Sequence, residues 1–342
     1  DIEPNALIGL CMDNSAEWIA LFWAILRCGF RPLLVNIRLD DATLNDLFSA
    51  YSVVCVLTDG RRFSVRTVTL DELNAADAVP FDPIFADEVL LMTSGTSEQI
   101  KLCAYTGEQF YHQIKSSAEI IRVSRRMKEH YEGELKQLTF LPFYHIFGLT
   151  AVYIWFAFFS RTFVLLRDFG PKTLLNTVRK HKVTHIFAIP LLWERIYETA
   201  TSEIEKRGEK TKAKFEKGMR IMDAIGDVPF LGDLFSKLAF REVRAGIFGD
   251  SPRFMISGGS RISPDVLRFF NHIGYHLANG YGMSEIGIAS VELSNKRSRL
   301  SDGAVGAPIA GMECRVDENG ELAIRGRNMA HAICQNGKRT ET

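Results

Sequence analysis

The chain has 342 residues, 46% hydrophobic and 24% charged, with 41 Lys and Arg balanced by 41 Asp and Glu. That apolar fraction and the zero formal charge exclude a disordered chain and remove the electrostatic case for a nucleic-acid partner. Length predicts about two domains, and the most apolar stretch, residues 151–159, is followed by Ser160 and Arg161, well short of the roughly 20 residues that cross a bilayer.

In chain order, residues 6–12 read as a strand, and Asn14-Ser15 supplies an N-cap for an apolar helix over 18–26 that Gly29 ends. Residues 33–35 form a second strand, Asp40 or Asp41 caps a helix through Ala50, and 53–57 is a third strand. This βαβαβ rhythm predicts a parallel sheet covered by helices. It returns downstream, with strands at 138–141, 163–166, 185–189 and 254–257 and helices near 108–130, 148–159, 171–181 and 263–273. Residues 199–245 interrupt it with a long helical segment in which Lys210, Lys214 and Lys217 mix with Glu203, Glu209 and Glu216, the pattern of a solvated face. Nothing in that charge balance demands a membrane contact. From Gly303 onward the texture is Gly-rich, with short strands at 313–316 and 321–324 around Asp317-Glu318-Asn319-Gly320. The expected fold class is α/β: two parallel-sheet subdomains with helices on both faces, plus a small antiparallel β region. A boundary near residue 300 divides 1–300 from 301–342. Opening at Asp1 directly before a strand and closing at Thr342 without a terminal element, the sequence reads as a piece of a longer protein. Its six cysteines never reach a CxxC spacing and read as mostly buried thiols of a reducing compartment, which places the protein in the cytoplasm by expectation.

Four segments carry chemistry. The strand at 89–92 runs into Thr93-Ser94-Gly95-Thr96-Ser97-Glu98-Gln99-Ile100-Lys101, a hydroxyl-rich turn with one Gly and a trailing Lys. Gly lets backbone amides turn inward, hydroxyls donate to phosphate oxygens and Lys adds a point charge, so the turn suits a polyphosphate as well as it suits an ordinary loop. It is not a Walker A loop. Ser257-Gly258-Gly259-Ser260 follows a strand, and its Gly pair admits either a flat ligand such as a purine or a tight strand-to-helix turn. In Asn279-Gly280-Tyr281-Gly282-Met283-Ser284-Glu285 two glycines bracket an aromatic that can stack on a base, and Glu285 is a natural Mg²⁺ ligand beside a phosphate. The near match of this segment to the GxSxG turn of serine hydrolases fails at Ile286, where that turn needs a small residue. Leu141-Pro142-Phe143-Tyr144-His145-Ile146-Phe147-Gly148-Leu149 sets a lone His between a strand and a helix, where open α/β sheets bind ligands and where a core histidine is equally at home.

In order and spacing these segments resemble the large N-terminal domain of the adenylate-forming (AMP-binding) superfamily. Residues 93–101 are similar to its TSGTTGxPK phosphate loop, 141–149 to LPxFHxxGL, 257–260 and 279–285 to the adenine-site glycines and GYGxTE, and 303–308 and 320–326 to GxxGxP and GELxxRG. The insertion at 199–245 makes the long-chain fatty acyl-CoA synthetases the nearest subfamily. Phe143, Tyr144, Phe147, Trp155 and Phe156 would suit an apolar acyl tail, with Trp155 and Phe156 weighted towards core.

The resemblance implies an AMP-binding α/β domain over 1–300, the start of a small β subdomain over 301–342, and a further small C-terminal domain beyond Thr342. It implies ATP- and Mg²⁺-dependent activation of a carboxylic acid, a medium- or long-chain fatty acid, to an acyl-adenylate. Transfer to coenzyme A, or to the phosphopantetheine of a carrier protein, would follow. Thr93, Ser94, Gly95, Thr96, Ser97 and Lys101 would hold the β- and γ-phosphates, and Glu285 the metal. Ser284 stands where the family has Thr and would touch the α-phosphate. Gly258, Gly259, Ser260, Gly280, Tyr281 and Gly282 would frame the adenine, and His145 would border the carboxylate. The sequence departs from the family at Glu98, where Gly is usual, at Ile100 for Pro, at Leu102 for Gly, and at Gly107 and Gln109 for His and Asn. A carboxylate at Glu98 opposes a triphosphate unless it is paired or points to solvent. A degenerate nucleotide- or acyl-binding protein without turnover is therefore the second expectation, and the 342-residue piece by itself is expected to turn over poorly.

Overall fold

The computed structural model describes residues 2–77, 79–93, 100–166, 168–335 and 338–342; Ser94, Gly95, Thr96, Ser97 and Glu98 of the expected phosphate loop lie outside them. Short apolar runs buried on both faces give the parallel strands of the first sheet. Its strands β1 (Leu7–Cys11), β2 (Arg31–Leu34), β3 (Cys55–Thr58), β4 (Thr67–Thr69) and β5 (Glu88–Met92) run parallel, and β6 (Leu102–Thr106) returns antiparallel to β5. The helix Ala16–Arg27 starts at the expected cap, Ser15 Oγ accepting the Trp18 amide at 3.0 Å, and buries Trp18, Phe22, Ile25 and Leu26. Asp40 caps the next helix, Asp41–Ala50.

The second sheet holds β7 (Lys136–Thr139), β8 (Thr162–Leu165), β9 (His185–Ala188), β10 (Phe254–Ser257) and β11 (Leu277–Met283), all parallel, with β12 (Gly287–Val291) folded back as a hairpin. Their spatial order is β12-β11-β10-β9-β7-β8. Between β9 and β10 the chain makes the helices Pro190–Lys206, Glu209–Ile225, Leu231–Ala239 and Arg241–Gly246. Of residues 301–342, only β13 (Met312–Val316) and β14 (Leu322–Gly326) form a separate antiparallel pair. β15 (Ala332–Gln335) and β16 (Lys338–Glu341) instead extend the first sheet, whose order is β16-β15-β6-β5-β2-β1-β3-β4. Glu88 anchors this addition through Arg31 at 2.8 Å, Arg339 at 2.8 Å and His331 at 3.0 Å. Burial alone would raise the Glu88 carboxyl, but the hydrogen bonds from Arg339, His331 and Arg31 outweigh it and hold it at about 2.

Two expected helices differ. The stretch 108–130 divides into Gly107–Glu119, a 3₁₀ turn at Ile120–Arg122 and Arg125–His130, the last capped by Ser124. The stretch 148–159 is a π-helix, Phe147–Ile154, running into one α-turn, Trp155–Phe158. Gly148 makes this winding feasible: a Cβ there would lie 2.1 Å from the Pro142 carbonyl oxygen. Asn14 ties the two sheets together, its Nδ2 donating to Leu141 O at 2.7 Å and its Oδ1 accepting the Phe143 amide at 2.9 Å. One apolar cluster then runs from Leu10 and Trp18 to Phe187 and Phe254. The six cysteines are free thiols; Cys11, Cys55 and Cys103 are buried, whereas Cys28 and Cys314 are exposed. Among the described residues no helix is long and apolar enough to cross a membrane.

Candidate active site

Parallel strands present their carboxyl ends to one edge of a sheet, and ligands of open α/β sheets bind there. In the second sheet the segments leaving β7, β9, β10 and β11 meet around a cavity of about 400 Å³. Ser257 pairs with Asn279, which sets the two glycine segments side by side. A Cβ on Gly258 would stand 3.3 Å from the Phe147 ring and 3.7 Å from Gly280 O. At Gly282 a Cβ would lie 2.3 Å from Gly287 O, so the β11–β12 hairpin closes only with Gly there.

His145 lines the same cavity from the β7 side. Burial first, and then the positive charge of Arg38, lower its imidazole to about 4. It is neutral near pH 7 and offers one N–H and one lone pair instead of a charge. Arg38 stands exposed beside it and is the one charged side chain lining the cavity among the described residues. Most of the remaining lining is apolar, with Tyr131, Phe140, Phe147, Trp155, Phe187 and Ile189 contributing.

The phosphate-loop flanks reach this region through β6. Thr93 donates its amide to Lys101 O at 3.0 Å, which continues the β5–β6 pairing by one more bond. Two residues along β6 from Cys103, the buried Tyr105 donates its hydroxyl to Ser284 O at 2.7 Å, and Ala330 donates its amide to Glu285 O at 2.9 Å. Between them, burial first and then the negative charge of Glu285 push the Cys103 thiol up to about 12, with Lys101 partly offsetting the rise. The segment that follows β11 is thus hydrogen-bonded to β6, the strand that begins directly after Lys101. Among the described residues no group of three His, Cys, Asp or Glu side chains could hold a metal ion. A divalent cation at Glu285 would complete its shell with ligand oxygens and water, the habit of Mg²⁺ rather than of a structural metal.

The AMP-binding enzyme family model matches residues 1–333. The chain belongs to this adenylate-forming family. Long-chain-fatty-acid–CoA ligase FadD15 of Mycobacterium bovis is 28% identical over 250 residues, covering 69% of this chain and 39% of FadD15. The chain thus spans about two fifths of the length of that curated relative. The o-succinylbenzoate CoA synthetase MenE from Bacillus subtilis, in complex with the acyl-adenylate intermediate OSB-AMP, matches with a TM-score of 0.71 at 19% identity, over 97% of this chain and 62% of MenE. The N-terminal domain of FACL13 from Mycobacterium tuberculosis matches with a TM-score of 0.64 at 18% identity, over 96% of this chain and 78% of that one. The α/β architecture expected from sequence is thus the AMP-binding fold.

Within this AMP-binding domain the structure brings His145, Gly258, Gly259, Gly280, Tyr281, Gly282 and Ser284 to one cavity. Ser260 is exposed and does not line it. Thr93 and Lys101 stand at the end of β5 and the start of β6, Glu285 follows β11 next to Ser284, which Tyr105 of β6 holds, and Ser94, Gly95, Thr96 and Ser97 lie outside the described residues. The aromatic stripe divides: Phe147 and Trp155 line the cavity, whereas Phe143, Tyr144 and Phe156 are core. Trp155 is buried in the core, as weighted, and also lines the cavity. Gln109 has a local task, its Oε1 accepting the Thr106 amide at 2.8 Å in a capping box that starts the next helix. Sequence reasoning missed Arg38, Tyr131, Phe140, Phe187 and Ile189. Phe140, Phe187 and Ile189 stand at carboxyl ends of strands, a signal that finds them, whereas Arg38 and Tyr131 carry no local sign.

Proposed function

We infer that this domain activates a carboxylic acid at the expense of ATP, in the first half of an acid–thiol ligase reaction. The carrying observation is the apolar cavity that His145, the paired glycine segments and Ser284 line together. In the proposed step a carboxylate oxygen attacks the α-phosphorus of ATP; the new O–P bond forms as the bond to the β-phosphate oxygen breaks, giving acyl-adenylate and pyrophosphate. The nucleophile is already an anion, so the protein's task is positioning and charge neutralisation. Thr93, Ser94, Gly95, Thr96, Ser97 and Lys101 would hold the β- and γ-phosphates, and Ser284 would contact the α-phosphate. Gly258, Gly259, Ser260, Gly280, Tyr281 and Gly282 would frame the adenine. Glu285 would hold Mg²⁺, which when bound neutralises phosphate charge. A neutral His145 would donate a hydrogen bond to the carboxylate without locking it in an ion pair, which leaves the oxygen nucleophilic.

The aromatic and aliphatic lining supports a medium- or long-chain fatty acid as substrate. The helices between β9 and β10 and the similarity to FadD15 support the same reading. In the second half-reaction the thiol of coenzyme A, or of a phosphopantetheine carrier, would attack the acyl carbonyl and release AMP. The test is carboxylate-dependent pyrophosphate exchange by the full-length protein across fatty acids of graded length and o-succinylbenzoate. Exchange driven best by a fatty acid is expected. Nucleotide binding with no exchange on any carboxylate would instead favour a degenerate binding protein, the reading motivated by Glu98 and Ile100.

A further inference from the structure

We propose that the helices between β9 and β10 enclose a second ligand site, separate from the active-site cavity, that takes an anionic amphiphile: an acyl tail within and an acidic head on a cationic rim. A cavity of about 1200 Å³ lies among Pro171–His181, Pro190–Lys206, Glu209–Ile225, Leu231–Ala239 and Arg241–Gly246. The active-site cavity holds about 400 Å³. Leu174, Leu192, Ile196, Phe215, Phe235 and Phe240 wall the larger space. Protein interiors pack almost as tightly as organic crystals and leave few voids larger than a water molecule. The space is a cleft partly open to solvent, and its aliphatic and aromatic walls beneath a charged rim give it the lining of a ligand site.

The rim supplies the selectivity. Arg195, Lys210, Lys214, Lys217 and Arg241 all line the cavity, are exposed, and make no ion pair or side-chain hydrogen bond among the described residues. Of the carboxylates on the same lining, Glu203 is engaged by Lys206 at 2.9 Å and Glu242 by Arg207 at 3.6 Å, which leaves Glu198. The chain as a whole carries no net charge, so this cationic excess is local. Lysine stems are apolar and their heads charged, which matches the boundary between an acyl tail and an acidic head. The mixed-charge segment that sequence reads as a solvated face is thus solvated on one side and walls a cavity on the other. Phe169 lines both cavities, so the two sites share a wall.

The experiment is direct fluorescence titration of the full-length protein with monomeric cis-parinarate, its methyl ester, and vesicles of phosphatidylglycerol or phosphatidylcholine. It uses the wild type, Ala151→Trp to obstruct the active-site cavity, Ile196→Trp to intrude on the second, and the triple change Lys210→Glu, Lys214→Glu, Lys217→Glu. Parinarate binding is expected to survive Ala151→Trp, to weaken when Ile196→Trp is added, and to weaken about tenfold or more with the methyl ester or the triple change. Loss of all parinarate binding in Ala151→Trp overturns the proposal. So does triple-variant affinity within about twofold of wild type, or lysine-dependent capture by phosphatidylglycerol vesicles with no monomer binding. The three lysines are exposed, so their reversal does not threaten the core, and far-ultraviolet circular dichroism verifies the fold. Because the readout is binding and not pyrophosphate exchange, a failure of the activation reading leaves this result legible by itself.

Discussion

Acidification from pH 7 to pH 5 is expected to destabilise the protein steeply through three imidazoles packed around one ring. His130, His185 and His276 sit with centroids 5.7, 6.3 and 5.2 Å from Phe254, and His130 and His276 are 4.8 Å apart. Both ring nitrogens of His276 and the Nε2 atoms of His130 and His185 are buried without hydrogen-bond partners. Burial first, and then neighbouring positive charge, including Arg253 for His130 and His185 and Arg126 for His130 and His276, lower all three: His130 to about 4, the other two well below the ordinary value. A histidine depressed in the folded state takes its proton more readily when unfolded. Its stability contribution therefore falls as pH drops below about 6.5 and levels off only below the folded value. For a shift such as that of His130, the loss between pH 7 and pH 5 is about 2 kcal/mol. His185 and His276 are depressed in the same direction and add to that loss. Urea unfolding at pH 7, 6 and 5 measures this directly, and His276→Phe should recover part of the loss. Stability that stays flat across that range, or a pH dependence unchanged in His276→Phe, would show that these imidazoles do not set the acid sensitivity.

Tyr105→Phe orphans the Ser284 carbonyl, so it should cost about 1–3 kcal/mol in urea unfolding and raise the Kd for Mg-ATP by calorimetry; unchanged values would show that this hydrogen bond does not position the motif. Gly148→Ala sets a Cβ against Pro142 O and should lower stability by about 1–3 kcal/mol while abolishing exchange, because the π-helix that follows His145 must move; a thermal unfolding scan checks it. Ala151→Leu narrows the active-site cavity and should shift the exchange optimum to a shorter carboxylate. An identical carboxylate profile would place the acyl group elsewhere.

Much of this was readable in the sequence because strands and ligand loops carry short-range signatures. The apolar runs at 6–12 and 254–257 gave their strands, and Ser15 and Asp40 gave their helix starts, since a cap needs only its own side chain and the next turn. The strand character of β6 and of the glycine-rich β11 was not readable, because it comes from pairing with β5, β10 and β12 and not from residue preference. Likewise β15 and β16 look like a continuation of the local hairpin, yet a cluster around Glu88, some 240 residues away in sequence, draws them to the first sheet. The π-helix follows from contact between Gly148 and Pro142 O. Arg38 and Tyr131 reach the cavity from elements remote in sequence, and no local pattern marks them.

The central claim is that the turn after Met92 and the carboxylate of Glu285 serve one magnesium–triphosphate. A crystal structure of the full-length protein with Mg²⁺ and a non-hydrolysable ATP analogue tests it most directly. The β- and γ-phosphates are expected on Lys101 and the hydroxyls of residues 93–97, adenine beside Tyr281 and the Gly258-Gly259 pair, and the metal on Glu285. Nucleotide bound away from the junction of β6 and β11, or a phosphate-bound metal that Glu285 does not contact, would contradict it.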